Sequence, residues 1–287
     1  MHEAERRDTV RRIARAGDPD RALAALFAPR DARDHLFALY AFNVELARIA
    51  EQVSEPDLGA IRLQWWREAI EQAGKGEATG QPVADAFGAA MRHHALSSER
   101  IAALISARLF DIGTKIMPDW QALEAYLKDT ASTVFTLAAQ ILGGRNRELE
   151  TTTVPAGIAY GLTGLMRALP VHTAQGRVYL PADALKRNET SPERVLLRNT
   201  GEGLFAVLAE LHGKAREALG EARHQAAELD ERSRAAFLPL SLVEPYLAAL
   251  EKKGRDPLRH VADINPLYRL WCLVTGGWRG AKRGGGR

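Results

Sequence analysis

An all-α fold follows from three features of the sequence. Alanine and leucine are abundant while runs of β-branched residues are scarce, which favours helices. Apolar residues recur at three- and four-residue spacing in block after block of the chain. Only "GRVYLP" (176–181) reads as extended, and it is too short to build a sheet.

The elements follow in chain order. Residues 1–17 form a basic N-terminal segment, charged throughout and without the apolar stretch of a secretory signal. In "DPDR" (18–21), Asp18 is placed to cap a helix with Pro19 at its first position. "YAFNVELARIAEQVSEP" (40–56) reads as a helix entered from an apolar run and stopped by Ser-Glu-Pro. Ile61, Trp65, Ala69 and Ala73 trace the next apolar face. Trp65 and Trp66 are consecutive, so one belongs to the core and the other to a cavity wall or partner surface. "GKGEATGQP" (74–82) is the clearest loop. His93 and His94, about 100° apart on a helix, read as an exposed turn feature and not as a site.

Leu123, Tyr126, Leu127, Thr130, Val134, Leu137, Ala138 and Ile141 trace another face, closed by the helix stop "LGGRN". Leu204, Val207, Leu208, Leu211, Ala215 and Leu219 trace a third. Pro239 and Pro245 predict a kinked or broken helix in "AFLPLSLVEPYLAAL". The expected architecture is one helical domain, 18–250, of about eight to ten helices, without internal repeat or long linker. A basic aromatic segment follows at 251–287, ending in a tail expected to be disordered.

With 287 residues, 46% of them hydrophobic, the chain is ample for a core. From Glu251 onward nine basic residues face three acidic ones, while the preceding body is close to neutral. Cys272 is the only cysteine, which excludes an intrachain disulfide or a cysteine-rich metal site and fits a reducing compartment. No stretch approaches the roughly 20 apolar residues of a membrane span, so a soluble intracellular protein is expected. Ser-His-Asp ordering, P-loop, dinucleotide fingerprint and zinc spacing are all missing, and no basic aromatic stripe suggests nucleic acid.

Two long stretches carry a resemblance. "LFAPRDARDHLFALYAFNVELARIAEQVSEPDLGAIRLQWWREAI" and "GLTGLMRALPVHTAQGRVYLPADAL" (161–185) resemble, in order and layout, two conserved regions of the squalene/phytoene synthase family. The resemblance spans roughly residues 18 to 250 and implies an isoprenoid-synthase-like helical bundle around a central cavity. It also implies chemistry that joins two prenyl diphosphates, with Mg²⁺ neutralising the departing pyrophosphate through aspartates on two facing helices. Both aspartate clusters are lost here. The first falls on Ala47, Arg48 and Glu51, so one carboxylate survives beside a cation. The second falls on Ala168 and His172, and the Gln and Asn that precede it in the family become Gly161 and Gly164. The departures themselves, "AFNVELA", "VSE" and "LTGLMRALPVH" with "RVYLP", resemble one subgroup, which contains the mitochondrial assembly factor for respiratory complex I and its bacterial relatives.

Several residues are candidates on these grounds. Glu51 and Glu55 could ligate a metal as an i,i+4 pair, but read more simply as solvated carboxylates near a helix end. Glu45 and Arg48 suit a surface or cavity-mouth ion pair. The resemblance makes Arg48, Arg167, Arg177 and Tyr179 candidates for binding an anion or substrate at the old site, against a purely structural reading as helix-end and packing residues. In "NPLYRLWCLVTGGWRG" (265–280), aromatics and arginines beside an apolar face suit either a membrane interface or a helix docked on the bundle.

The expectation is therefore a pseudoenzyme without catalytic residues, cofactor or metal. It would assist complex I assembly by contacting a complex I subunit or intermediate, in the cytoplasm or peripherally at the inner membrane. Two rivals remain: a prenyltransferase condensing C15 or C20 diphosphates, the one case that needs Mg²⁺, and an isoprenoid or lipid carrier.

Overall fold

Prolines and side-chain caps set most of the helix starts. The computed structural model describes residues 3–53, 55–113, 115–144 and 148–281. Helix α1 spans Glu3–Gly17, and α2, Pro19–Ala25, opens on Asp18, whose carboxylate accepts from the Arg21 backbone N–H at 3.1 Å. α3, Arg30–Gln52, is the long central helix, and Pro56 at the first position starts α4, Pro56–Gly74. α5, Pro82–His94, is capped by Gln81 and ends on Ala95 in the left-handed region. α6, Ser98–Ala107, tightens into a 3₁₀ turn, Arg108–Asp111.

α7, Trp120–Leu127, continues through a π-helical turn, Lys128–Ser132, into α8, Thr133–Ile141. The Thr133 hydroxyl donates to the Lys128 carbonyl five residues back, consistent with the widened turn. Gly143, at φ 97°, ends that run as "LGGRN" predicted. α9, Glu148–Arg167, contains Pro155 and leads into the short helices α10, Leu169–Ala174, α11, Ala182–Arg187, and α12, Pro192–Leu196. α13, Glu202–Ala226, is the longest. After α14, Glu231–Arg234, Pro239 lies in a 3₁₀ stretch, Ala235–Leu242, before α15, Val243–Leu250. The break expected there is present. α16, Pro266–Ala281, closes the described chain.

The sixteen described α-helices exceed the eight to ten expected, because turns and prolines divide the C-terminal half into short pieces. "GRVYLP" contributes only a single parallel bridge, Val178 to Ile116. Among the described residues no helix is long and apolar enough to cross a membrane.

α9 packs along α13, and α3 lies among α1, α5 and α8. The α13 face from Leu204 to Leu219 is buried as its spacing predicts. Phe42 stacks on Phe87 at 4.6 Å and meets Trp66 edge-on at 5.6 Å, contacts worth about 0.5–1.5 kcal/mol each beyond area burial. Of the tryptophan pair, Trp66 is core and Trp65 exposed. The α4 stripe differs from expectation: Ile61 and Trp65 face outward, and Leu63, Trp66, Ala69, Ile70 and Ala73 face inward. A four-residue spacing drifts around a helix of 3.6 residues per turn, so it names the wrong end of the stripe.

Neither flank stands apart. α1 buries Val10 and Ala14 against the bundle, and α16 inserts Cys272 and Leu273 among Ala24, Leu238, Leu242 and Tyr246. The other side of α16 leaves Leu267, Tyr268, Leu270, Trp271 and Val274 exposed. The tail expected to be disordered, "GGWRGAKRGGGR" (276–287), is instead helical as far as Ala281, where it continues α16, and its remainder, 282–287, lies outside the described residues.

Candidate functional site

The first degenerate cluster lines a real cleft. The end of α1 and the middle of α3 enclose about 280 Å³ between Ala16, Gly17, Asp18, Asn43, Val44, Ala47, Arg48 and Glu51. Gly17 allows the approach, because a Cβ there would lie 2.2 Å from the Val44 side chain. Arg48 is half-buried in the wall and Glu51 is exposed at the edge. Burial pushes the neighbouring Glu45 carboxyl up, and the charges of Arg48 and Arg62 pull it partly back. α3 ends at Gln52 and Val53 is extended, so Glu51 and Glu55 do not share a helical face.

Asp18 is the cleft's other carboxylate, and its oxygens are already engaged. Arg21 donates to it at 3.0 Å in addition to the backbone cap, and the Tyr160 hydroxyl donates at 3.5 Å. Arg21 itself is buried, lying 4.3 Å from the Tyr160 ring centre and 5.2 Å from that of Phe135. Burial is the largest influence and opposes its charge, but Asp18, Tyr160 and Tyr40 together hold the guanidinium above its ordinary value. One engaged aspartate, one exposed glutamate and a cation in the wall do not fit Mg²⁺, which requires near-octahedral oxygen ligands.

The second cluster lies elsewhere. Ala168 and His172 sit at the α9–α10 junction and do not line this cleft. The His172 ring packs on Tyr179 at 4.6 Å with Nδ1 buried and unpartnered. Burial, reinforced by the Arg177 charge, pulls its pKa down to about 4, so it is neutral at pH 7. Arg177 is buried, donates to the Gln175 side chain, and takes its place in the turn through a backbone bond to the His172 carbonyl.

The four anion-binding candidates do not converge on one point, although the Tyr179 network reaches the wall of the Arg48 cleft through Arg108 and Asn43. Tyr179 donates to Asp111 at 2.7 Å, Tyr126 donates to the same oxygen at 2.8 Å, and Arg108 bridges Asp111 to Asn43. Burial raises the Tyr179 hydroxyl, and Asp111 raises it further. Arg167 pairs with Asp20 at 3.4 Å, donates to the Ala262 carbonyl and stacks over Tyr246 at 3.4 Å. Asp20 also accepts from Tyr246 and pairs with Arg269 of α16 at 2.9 Å. Burial raises the Asp20 carboxyl, with Arg167 the largest opposing influence.

Sequence reasoning missed Asp20, Arg21, Arg108 and Asp111. One signal was available for the last two: a charge pair three residues apart embedded in the apolar run "LISARLFDIG". His93 and His94 also have company that their sequence neighbourhood does not announce, since His35 of α3 lies against both rings.

The squalene/phytoene synthase family model matches residues 14–268. This chain belongs to the squalene/phytoene synthase family. Among the family's curated members, it is 30% identical to "NADH dehydrogenase (ubiquinone) complex I, assembly factor 6" of Bos taurus, over 85% of this chain and 73% of that protein. It is 28% identical to the phytoene synthase of Thermus thermophilus, over 91% of this chain and 89% of that enzyme. The squalene synthase HpnC of Alicyclobacillus acidocaldarius superposes with a TM-score of 0.77 at 23% identity, covering 87% of this chain and 94% of that one. The isoprenoid synthase fold expected from the two motifs is therefore present.

Proposed function

We propose that this squalene/phytoene synthase family member is a non-catalytic protein that assists assembly of respiratory complex I. One observation carries the reading: the cleft where the first aspartate cluster falls is lined by Ala47 and Arg48, with a single exposed glutamate. Identity alone does not separate an assembly-factor relative from a synthase relative, since both lie near 28–30%. The site chemistry supports the assembly-factor side. A departing pyrophosphate needs divalent cations, and this donor set cannot hold them. Relatives named complex I assembly factor 6 in Homo sapiens and Bos taurus support the partner class.

The exposed aromatic side of α16 and the excess of basic residues after Glu251 support peripheral contact with an anionic membrane face, where such assembly would take place. The test is deletion of the gene in its host, with complex I content and NADH:ubiquinone activity measured before and after complementation. Loss of assembled complex I, restored by the wild-type gene, is expected. Normal complex I in the deletion strain, or pyrophosphate release from farnesyl or geranylgeranyl diphosphate by the purified protein with Mg²⁺, overturns the proposal.

A further inference from the structure

Three histidines converge on the face of the bundle formed by α3 and α5. His35 lies in the second turn of α3, and His93 and His94 end α5. Nδ1 of His35 and Nε2 of His94 are 2.8 Å apart, and donor nitrogens of all three rings lie within 4.8 Å of one another. The ring centres are 4.6 to 5.1 Å apart. Adjacent residues on a helix normally diverge by about 100°, yet His93 and His94, at the end of α5, both lie against His35 of another helix.

The charged neighbours are occupied with one another. Asp34 is held by Arg7 and Arg11 of α1, and Asp31 by Arg232 of α14. That leaves three imidazoles as the free donors. We propose that His35, His93 and His94 bind a divalent transition-metal ion, Zn²⁺ foremost, through three imidazole nitrogens, with water completing a tetrahedron.

The chemistry suits the ion. Imidazole is a preferred ligand for zinc, copper and nickel, and three histidines plus water is a known zinc arrangement. Two nitrogens each about 2.0–2.1 Å from a tetrahedral Zn²⁺ stand about 3.3 Å apart. The 2.8 Å contact must therefore widen by about half an ångström, and nitrogens as far as 4.8 Å apart must close by up to about 1.5 Å, movements that side-chain rotation at the surface supplies. The proton that now bridges the pair moves to the outer nitrogen of its own ring, so both inner nitrogens offer lone pairs without net proton release. The rings are also ready in the neutral form: burial, then repulsion from the other histidines, pulls His94 down to about 4 and lowers His35. Asp31 and Asp34 oppose these shifts, and Arg232 adds to that on His94. Metal here would tie α3 to α5, far along α3 from the Arg48 cleft.

The test uses the full chain without an affinity tag, stripped with EDTA, titrated with ZnCl₂ by calorimetry and with CoCl₂ by visible absorption. About one equivalent of Zn²⁺ at micromolar or tighter affinity is expected, with a tetrahedral cobalt spectrum. His93→Ala, His94→Ala and His35→Gln should each weaken binding at least about tenfold, since losses of about 10- to 100-fold are typical even when only the partners that orient a ligand are changed. His224→Ala, at an exposed site on α13, should bind as wild type does. His93 and His94 sit at a helix end where truncation is tolerated, so that pair decides the matter even if the His35 variant misfolds. No saturable binding by the wild type, or binding that persists in the His93→Ala/His94→Ala double variant, overturns the site.

Discussion

Three glycines on α9 should respond to alanine in a fixed order, and the order reads out how α9 sits against its neighbours. A Cβ at Gly157 would lie 2.1 Å from the Ser132 hydroxyl oxygen and 2.3 Å from that residue's Cα and backbone nitrogen. Backbone atoms of the π turn cannot swing aside, so helix and turn must separate. A Cβ at Gly161 would meet the Leu127 Cδ2 at 2.6 Å, the mobile end of a side chain, and Ala131 at 3.1 Å. At Gly164 it meets nothing within 4 Å. Alanine in a helix interior is favoured over glycine by about 0.5–1 kcal/mol, and overpacking costs about 1–3 kcal/mol or more. Gly164→Ala should therefore stabilise by about 0.5–1 kcal/mol, Gly161→Ala should stay within about 1 kcal/mol of wild type, and Gly157→Ala should destabilise by about 2–3 kcal/mol. The span of about 3 kcal/mol corresponds to roughly 6–12 °C in Tm for a chain of this size. Urea unfolding followed by far-UV circular dichroism measures it. Gly157→Ala as stable as Gly164→Ala would refute the close approach of α9 to the π turn. Gly161 and Gly164 stand where the family places Gln and Asn, so the same series shows whether losing those polar groups left room at the old site.

Three further outcomes follow from the networks. His172 has a folded pKa of about 4 against an unfolded value near 6.5, so below about pH 6.5 the unfolded chain binds the extra proton and stability falls as pH falls toward 4. The loss is on the order of 3 kcal/mol, and His172→Phe should remove it; parallel pH profiles for the two proteins would refute the assignment. Arg269→Leu removes the pairing with Asp20 and the bonds to Tyr246 and Asp263, each charged bond worth about 1.5–3 kcal/mol. Hydrogen exchange across 266–275 should accelerate at least about tenfold, and unchanged exchange would mean that Cys272 and Leu273 alone hold α16. Co-sedimentation with vesicles of anionic phospholipid should exceed that with neutral vesicles, and should fall on raising the salt or replacing Leu267 and Trp271 by alanine. Equal binding to both vesicle types would remove the membrane-contact reading.

Much of the fold, and the residue types at the old motif positions, are legible without coordinates. Asp18 and Pro19 cap and start α2, "LGGRN" stops α8, Pro239 breaks the helix before α15, and the Leu204–Leu219 face turns inward, because each depends on residues within a few positions of one another. The reading that metal chemistry is lost rests on equally local information: Ala47, Arg48, Ala168 and His172 are not the carboxylate ligands that Mg²⁺ favours.

Tertiary structure alone decided the rest. Spacing by fours could not say whether Trp65 or Trp66 faces the core, since rotation about a helix is set by its neighbours and not by its own sequence. The Tyr246–Asp20 bond joins residues 226 positions apart, the Arg232–Asp31 pair 201, and the His35–His94 contact 59. Nothing in a local window records such pairs. Arg167 and Tyr179 could equally have bound a ligand or a protein carboxylate until packing supplied Asp20 and Asp111 from distant segments. The sequence determined the helical class, its caps and breaks, and which residue types stand at the old motif positions, because these rest on local propensity and residue type; packing determined which charges meet, because burial forces each polar group to find a partner wherever the chain returns.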